Sequence, residues 1–194
     1  MDREDGTMKT GWISDVDGQK YFLDSSGKMV TGWMKNSDDK WIFLKSSGAM
    51  AIGWAKAGDK WYFFDKEGIM QTGWKQLGGV WYYLDASNGD MATGWKQVGN
   101  TWYFFDENGQ MKTGWITING ASYYLNDSGA MVTGWRSIGG FWYYFNVNGS
   151  MAKGWVKLSG VWYYLEDNGK MVTGSKTING KTYEFASSGA CTNP

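Results

Sequence analysis

The sequence predicts an all-β solenoid in which about nine consecutive β-hairpins stack on one another. Three observations predict this fold. Gly-Trp recurs every 20 or 21 residues, a Gly-x-Met motif recurs with the same period, and each repeat carries two short aromatic runs on either side of a turn signal. A fixed period of this length is typical of repeat architectures, in which each unit buries its apolar face against its neighbours.

The repeats extend along the whole chain. We expect residues 1–194 to form a single repeat module that leaves no room for a separate catalytic domain. The chain opens in the middle of a repeat, at "DREDGTMKTGW", which is what removal of a leader would produce. The repeats start near Gly11, Gly32, Gly53, Gly73, Gly94, Gly114, Gly134, Gly154 and Gly174.

Each repeat is predicted to contain one β-hairpin with a tight turn. Between the aromatic runs stand pairs such as Gly78-Gly79, Asn119-Gly120 and Ser159-Gly160. These residue types accept positive φ, which two-residue hairpin turns require. The second repeat, "WMKNSDDKW", has a longer loop without glycine. One hairpin is marginally stable in water, so we expect the hairpins to stabilise each other by stacking.

Composition excludes several classes of function. The chain has no histidine, which removes the commonest general base and the commonest metal ligand. Its 19 basic and 19 acidic residues give a formal net charge of zero without a basic patch, so nucleic acid is not an expected partner. No apolar run approaches the roughly 20 residues of a transmembrane helix, so no membrane insertion is expected. We therefore predict no catalytic residue, no metal and no cofactor.

Strand alternation assigns the aromatic residues to faces. In the fourth repeat, the Gly-Gly turn pairs Trp74 with Tyr83, so Trp74, Trp81 and Tyr83 share one face and Tyr82 projects from the other. The middle aromatic residue of each run is therefore expected to face the preceding repeat. A turn shifted by one residue would instead select the following aromatic residue.

Stacking in sequence order brings the two tryptophans of one repeat against the middle aromatic residue of the next. For Trp74 and Trp81 this residue is Tyr103, and Met91 is expected nearby in the connecting segment. Such a cluster could be a core between hairpins, but where the second tryptophan is replaced, the substitutes are polar: Lys20, Ser122 and Thr182. A position that lines an open pocket tolerates such replacements, whereas a buried one does not.

Three converging electron-rich rings form an aromatic cage that suits a quaternary ammonium. The same flat rings can also stack on sugars, so carbohydrate binding remains open, as does a spacer without a ligand. Sugar sites normally add polar side chains beside the rings. The repeated acidic or amide residues that follow the second strand are explained by the turns that they make.

The unit "TGWKQLGGVWYYLDASNGDM", residues 72–91, closely resembles the choline-binding repeat of the choline-binding proteins of pneumococci, their phages and related Gram-positive bacteria. The resemblance covers the whole chain. It implies a left-handed β-hairpin solenoid that holds choline between hairpins, through two tryptophans of one repeat and an aromatic residue of the next, often with a methionine. It also implies a secreted protein bound non-covalently to the bacterial cell wall through choline or phosphocholine on teichoic and lipoteichoic acids. Homodimerisation through terminal repeats stays open, as does a host or bacterial protein partner.

Carried over onto this chain, the family pattern gives six complete cages. They are Trp33, Trp41 and Tyr62; Trp54, Trp61 and Tyr82; Trp74, Trp81 and Tyr103; Trp95, Trp102 and Tyr123; Trp135, Trp142 and Tyr163; and Trp155, Trp162 and Tyr183. The methionines expected at the sites are Met50, Met70, Met91, Met111, Met151 and Met171.

Two further combinations are incomplete, and the last repeat has no cage tryptophan. Trp12 is combined with Lys20 and Ile42, and Trp115 and Tyr143 are combined with Ser122. The ninth repeat, "GSKTINGKTYEF", is expected to cap the stack. The sequence thus predicts a non-enzymatic choline-binding module. The alternative is a related aromatic repeat that binds glucan or a receptor oligosaccharide.

Overall fold

The computed structural model describes residues 7–194, and all regular elements in this range are β-strands. The described range contains no helix that could cross a membrane. The opening segment of the first repeat, residues 1–6, lies outside the described residues. The strands are β1 (Gly11–Ser14), β2 (Lys20–Leu23), β3 (Gly32–Lys35), β4 (Trp41–Leu44), β5 (Gly53–Ala57), β6 (Lys60–Phe64), β7 (Gly73–Leu77), β8 (Val80–Leu84), β9 (Gly94–Val98), β10 (Thr101–Phe105), β11 (Gly114–Ile118), β12 (Ala121–Leu125), β13 (Gly134–Ile138), β14 (Phe141–Phe145), β15 (Gly154–Leu158), β16 (Val161–Leu165), β17 (Gly174–Ile178) and β18 (Lys181–Phe185).

Each odd-numbered strand forms a two-stranded sheet with the strand that follows it. The register is the predicted one. In the fourth repeat, Trp74 lies opposite Tyr83 and Gln76 lies opposite Trp81. The prediction of one antiparallel hairpin per repeat is therefore confirmed for the described residues.

The hairpin turns require positive φ, which explains why glycine occurs between the paired strands. Gly78 and Gly79 have φ values of 57° and 83°, as a two-residue turn of the type favoured in hairpins requires. The longer loop of the second repeat places Asp39 at a φ of 60° instead. Short polar side chains and glycine reach this region at the lowest steric cost, which is why the turn signals could be identified from residue type.

The chain divides into two compact units. The first contains the described residues up to Gly94 together with Glu107–Gln110, and the second contains Trp95–Asp106 and Met111–Pro194. Each unit consists of successive hairpins of the same kind. That the whole chain acts as one binding module stays a prediction.

Within each unit, main-chain hydrogen bonds connect consecutive hairpins. In the first unit, the Met70 N–H donates to the Trp41 carbonyl and the Met91 N–H donates to the Trp61 carbonyl, both at 2.8 Å. In the second unit, the Met171 N–H donates to the Trp142 carbonyl at 2.8 Å. The segment after each of these hairpins is thus attached to the preceding hairpin, so hairpins stack in sequence order.

The buried core lies at a position that the sequence analysis did not single out. The final residue of the second strand is at most 1% exposed in seven repeats: Leu44, Phe64, Leu84, Phe105, Leu125, Phe145 and Leu165. Each of these residues also forms an isolated β-bridge with the methionine of its own repeat. Burial of such a side chain contributes roughly 1.5–3 kcal/mol, so this column supplies much of the apolar driving force in both units.

Candidate functional site

In the first unit, two tryptophans of one hairpin and a tyrosine of the next come together. Strands β3 and β4 position Trp33 and Trp41, whose ring centroids lie 6.2 Å apart with planes at 90°. Tyr62 on β6 lies with its ring 4.8 Å from that of Trp33, at an interplanar angle of 75°. The side chains of Trp33 and Trp41 remain 36% and 44% exposed. These rings therefore present open faces instead of closing a core.

The rings line a cavity of about 400 Å³ in this first cage and about 410 Å³ in the following one. The first cavity is lined by Trp33, Trp41, Tyr62, Met70, Ser87 and Asn88. The second is lined by Trp54, Trp61, Tyr82, Met91, Glu107, Asn108 and Gln110. Each of these two predicted aromatic triplets thus lines its own cavity, together with a methionine and polar residues.

The polar residues come from a third repeat, which the sequence analysis missed. Ser87 and Asn88 follow β8, two hairpins beyond the tryptophans whose cavity they line. The Asn88 side-chain oxygen accepts the Asp90 N–H at 3.1 Å, and the Ser87 hydroxyl donates to Asp85, so part of their hydrogen-bonding capacity serves the turn. These are turn residues in the sequence, and no local signal in the chain distinguishes a turn that lines a cavity from one that does not.

In the second unit, as in the first, the first tryptophan of a repeat contacts the middle aromatic residue of the next repeat. Trp95 and Tyr123 have ring centroids 5.0 Å apart, as have Trp135 and Tyr163. The partner strands present Trp102 and Trp142 at the equivalent position, 40% and 48% exposed.

The three rings of the last triplet of this unit line a common cavity. The ring centroids of Trp155 and Tyr183 are 4.8 Å apart, and those of Trp155 and Trp162 are 6.1 Å apart at 87°. A cavity of about 340 Å³ is lined by these rings and Pro194.

One predicted cage combines residues of the two units. Trp74 and Trp81 belong to the first unit, and their rings lie 6.1 Å apart at 88°. Tyr103 belongs to the second unit. Their combination into one site stays a prediction.

Within each unit, the middle tyrosine of a run contacts the tryptophan of the preceding hairpin, as strand alternation predicts. Tyr82 lies 5.1 Å from Trp54 of the hairpin before, measured between ring centroids. The next aromatic residue, Tyr83, instead packs 5.2 Å from Trp74 of its own hairpin and is only 8% exposed. The two consecutive tyrosines therefore have different roles, one at a cavity and one in the core.

One methionine lines a cavity one repeat earlier than the sequence analysis placed it. Met91 was expected near Trp74 and Trp81, but it lines the cavity of Trp54 and Trp61. The physical reason is the main-chain hydrogen bond that attaches Met91 to the preceding hairpin. Met70 follows the same rule, and Met50 lines the cavity beside Trp12. Roles for Met111, Met151 and Met171 at ligand sites stay predictions.

The two incomplete combinations differ from the cages as expected from their residue types. Lys20 and Ile42 line a cavity of about 380 Å³ together with Trp12. In the second unit, Trp115 and Tyr143 retain the ring contact at 5.0 Å, and Ser122 stands where the second tryptophan would be.

Charged groups lie at the margins of the cages. The Lys35 ammonium lies 5.3 Å from the centroid of the Trp41 ring and forms an ion pair with Asp39 at 2.7 Å. In the second unit, a hydrogen bond from Lys176 lowers the pKa of Glu166, and the same pair raises the pKa of Lys176. Among the described residues, no group of acidic or cysteine side chains could hold a metal ion. The converging rings of Trp33, Trp41 and Tyr62 can surround a weakly hydrated cation with their faces.

Comparisons with known proteins agree with this geometry. No curated protein matches the chain in sequence. Among solved structures, CbpJ from Streptococcus pneumoniae TIGR4 is 36% identical with a TM-score of 0.85, and the match covers 95% of this chain and 72% of CbpJ. Choline-binding protein F from Streptococcus pneumoniae, solved in the presence of a peptidoglycan analogue, is 33% identical with a TM-score of 0.84, over 96% of this chain and 72% of that protein. The choline-binding domain of CbpL from the same species is 28% identical with a TM-score of 0.68, over 96% of this chain and 98% of that domain.

The family comparison covers most of the repeats. The model of the choline-binding repeat matches residues 9–52, 51–94, 92–133 and 132–173. With the similarity to the choline-binding proteins above, this match confirms the predicted fold class, an all-β solenoid of hairpins. The chain belongs to the choline-binding repeat family.

Proposed function

We propose that the chain is a non-enzymatic binding module that holds the quaternary ammonium of choline in its aromatic cages. The observation that carries the proposal is the recurring combination of two tryptophans of one hairpin with a tyrosine of the next. The two tryptophan rings lie nearly at right angles in the first and last of these triplets. In the cages of Trp33 and Trp54, this triplet surrounds a cavity of about 400 Å³. Membership of the choline-binding repeat family supports the same ligand.

The physical chemistry of the ligand explains why rings suffice. A quaternary ammonium is weakly hydrated and has no N–H to donate, so ring faces can replace its water shell. Each ring contributes roughly 0.5–2 kcal/mol. After the costs of association, one cage is expected to bind choline in about the millimolar range, near −4 kcal/mol.

Repetition of weak cages suits a polymer that carries many choline groups. We infer that the natural ligand is choline or phosphocholine on teichoic and lipoteichoic acids, which would attach a secreted protein non-covalently to the cell wall. Linked weak sites gain avidity by factors of about 10²–10⁴ when several engage together. The relatives named as choline-binding proteins of Streptococcus pneumoniae support this location.

A calorimetric titration of the full chain with choline tests the proposal. We expect saturable, weak binding of about six cholines per chain, one for each complete cage. The matched control ligand is 3,3-dimethylbutan-1-ol, in which a neutral carbon replaces the charged nitrogen of choline. If this neutral isostere binds as well as choline, the cages act as apolar pockets and the cation-π assignment is wrong.

Carbohydrate binding is the second candidate, and one observation favours it. Ser87 and Asn88 provide polar atoms beside the rings of Trp33 and Trp41, as sugar sites require. Both side chains already take part in turn hydrogen bonds, which reduces their capacity for a sugar. A titration with glucose oligomers distinguishes choline binding from carbohydrate binding. If the oligomers bind and choline does not, the second proposal replaces the first.

A further inference from the structure

The cavity beside Trp12, called here the first-repeat pocket, has a chemistry unlike that of the cages. It is lined by Trp12, Ser14, Lys20, Asn36, Ser37, Ile42, Met50 and Glu67. We propose that this pocket binds a small phosphate ester through Lys20 instead of a free quaternary ammonium. The proposal goes beyond choline binding and does not depend on it.

The pocket keeps one ring and an apolar floor. Trp12 is 44% exposed and provides one wall. Ile42 and Met50 are 1% and 5% exposed, so they form a closed base where a cage would have its third ring. A single ring cannot surround a cation, and the Lys20 ammonium adds a like charge. A free choline is therefore disfavoured in this cavity.

The polar groups of the pocket are mostly hydrogen-bond donors. Within residues 7–194, no side chain or main-chain group forms a hydrogen bond or ion pair with the Lys20 ammonium. The Asn36 side-chain oxygen accepts the N–H groups of Asp38 and Lys40, at 3.0 and 2.9 Å, which leaves its NH₂ group to donate. An ammonium and an amide NH₂ on one cavity match the oxygens of a phosphate group.

Ser14 and Ser37 extend this set of donors, because a hydroxyl can donate to a phosphate oxygen. The ester group attached to the phosphate would then lie against the Trp12 ring. The cavity of about 380 Å³ is large enough for a phosphate and a three-carbon group.

Glu67 is the one acidic side chain of the pocket. Its carboxylate lies 3.7 Å from the Lys66 ammonium, which offsets part of its charge. A negative group in the same pocket as Lys20 also suits a zwitterion, because the ammonium of phosphocholine could face Glu67 and Trp12 while its phosphate faces Lys20. Phosphocholine and a choline-free ester such as glycerol phosphate share the phosphate chemistry, so the experiment must separate them.

Indole N–H signals of the full, nitrogen-15-labelled chain provide a readout for each tryptophan. The Trp12 signal is assigned by its loss in Trp12→Phe. We expect glycerol 3-phosphate and phosphocholine to shift this signal at millimolar concentrations, and free choline to leave it in place. A shift with phosphocholine alone would support the proposal with the zwitterion as the ligand, and a shift with both esters would support recognition of the phosphate itself.

Substitution of the ammonium tests its role. Lys20→Gln is expected to weaken the response of Trp12 to phosphate esters by about fivefold or more, and Lys20→Arg is expected to restore it. The matched control is Lys153→Gln, which removes an exposed lysine of the other unit. No Trp12 response to either ester, or an equal response in Lys20→Gln, would overturn the proposal. The indole signals of the cage tryptophans report choline binding separately, so failure here is distinguishable from failure of the cages.

Discussion

Replacement of Trp61 by serine should remove one choline site and leave the fold intact. Trp61 is 44% exposed and lines its cavity with Trp54 and Tyr82. Its carbonyl accepts the Met91 N–H at 2.8 Å, a main-chain bond that a serine also forms. The chain already contains this arrangement, because the Ser122 carbonyl accepts the Met151 N–H at 2.7 Å. Trp61→Ser therefore copies a substitution that the repeat accepts.

The expected loss of affinity follows from the number of rings. One ring of three contributes roughly 0.5–2 kcal/mol to binding of the cation, which corresponds to a factor of about 2–30. A cage that binds choline in the millimolar range would then bind it at up to tens of millimolar. The number of cholines bound per chain should fall by about one.

The assay follows each indole N–H signal during a choline titration. In Trp61→Ser, the Trp54 signal should respond weakly or not at all, while the Trp33 signal should respond as in the unchanged chain. Trp61→Phe keeps an aromatic face and should retain most of the response. An unchanged response of Trp54 in a folded Trp61→Ser chain would refute the assignment of Trp61 to the cage.

Three other substitutions test the core, a close approach and the charge near a cage. Leu84→Ala empties a fully buried site and should cost about 2–5 kcal/mol of unfolding free energy in denaturant unfolding, with choline binding by folded chains retained. Gly68→Ala should destabilise the chain more than Gly58→Ala, since both have positive φ but a Cβ at Gly68 would lie 2.5 Å from the Met50 sulfur whereas the one at Gly58 meets nothing within 4 Å; equal melting temperatures would contradict this. Lys35→Gln removes a like charge near a cage tryptophan and should strengthen choline binding at that site by about twofold at low salt, an effect that added salt should abolish.

The hairpins could be predicted from the sequence because their determinants are local. A turn such as Gly78-Gly79 sets the register of the two strands beside it, and period-2 alternation then assigns each aromatic residue to a face. The strand register and the face on which each aromatic side chain lies could therefore be predicted from the sequence. The contact between Tyr82 and the tryptophan of the preceding hairpin could be predicted in the same way.

The remaining features depend on how successive repeats are attached to one another. Met91 lines the cavity of Trp54 because its N–H is bound to the carbonyl of Trp61, and no local pattern encodes that hydrogen bond. The contribution of Glu107 to the same cavity comes from a repeat further on and could not be predicted for the same reason. The sequence analysis assigned the tryptophans to open pockets but did not identify Leu84 and its equivalents, which are the fully buried side chains.

The core side chains and the main-chain hydrogen bonds hold the hairpins together, whereas other side chains form the sites, so individual sites can diverge within one fold. The side chain of Leu84 is buried, and the hairpins are joined through carbonyl groups at the second tryptophan position. Because that joint uses only the main chain, the side chain at the position is free to change. Lys20 shows the consequence: its carbonyl accepts the Met50 N–H at 2.8 Å, as a cage tryptophan would, while its side chain gives the pocket a positive charge. A repeat can thus lose or alter its ligand at little cost to the stack, which makes a row of sites with different preferences an expected product of this architecture.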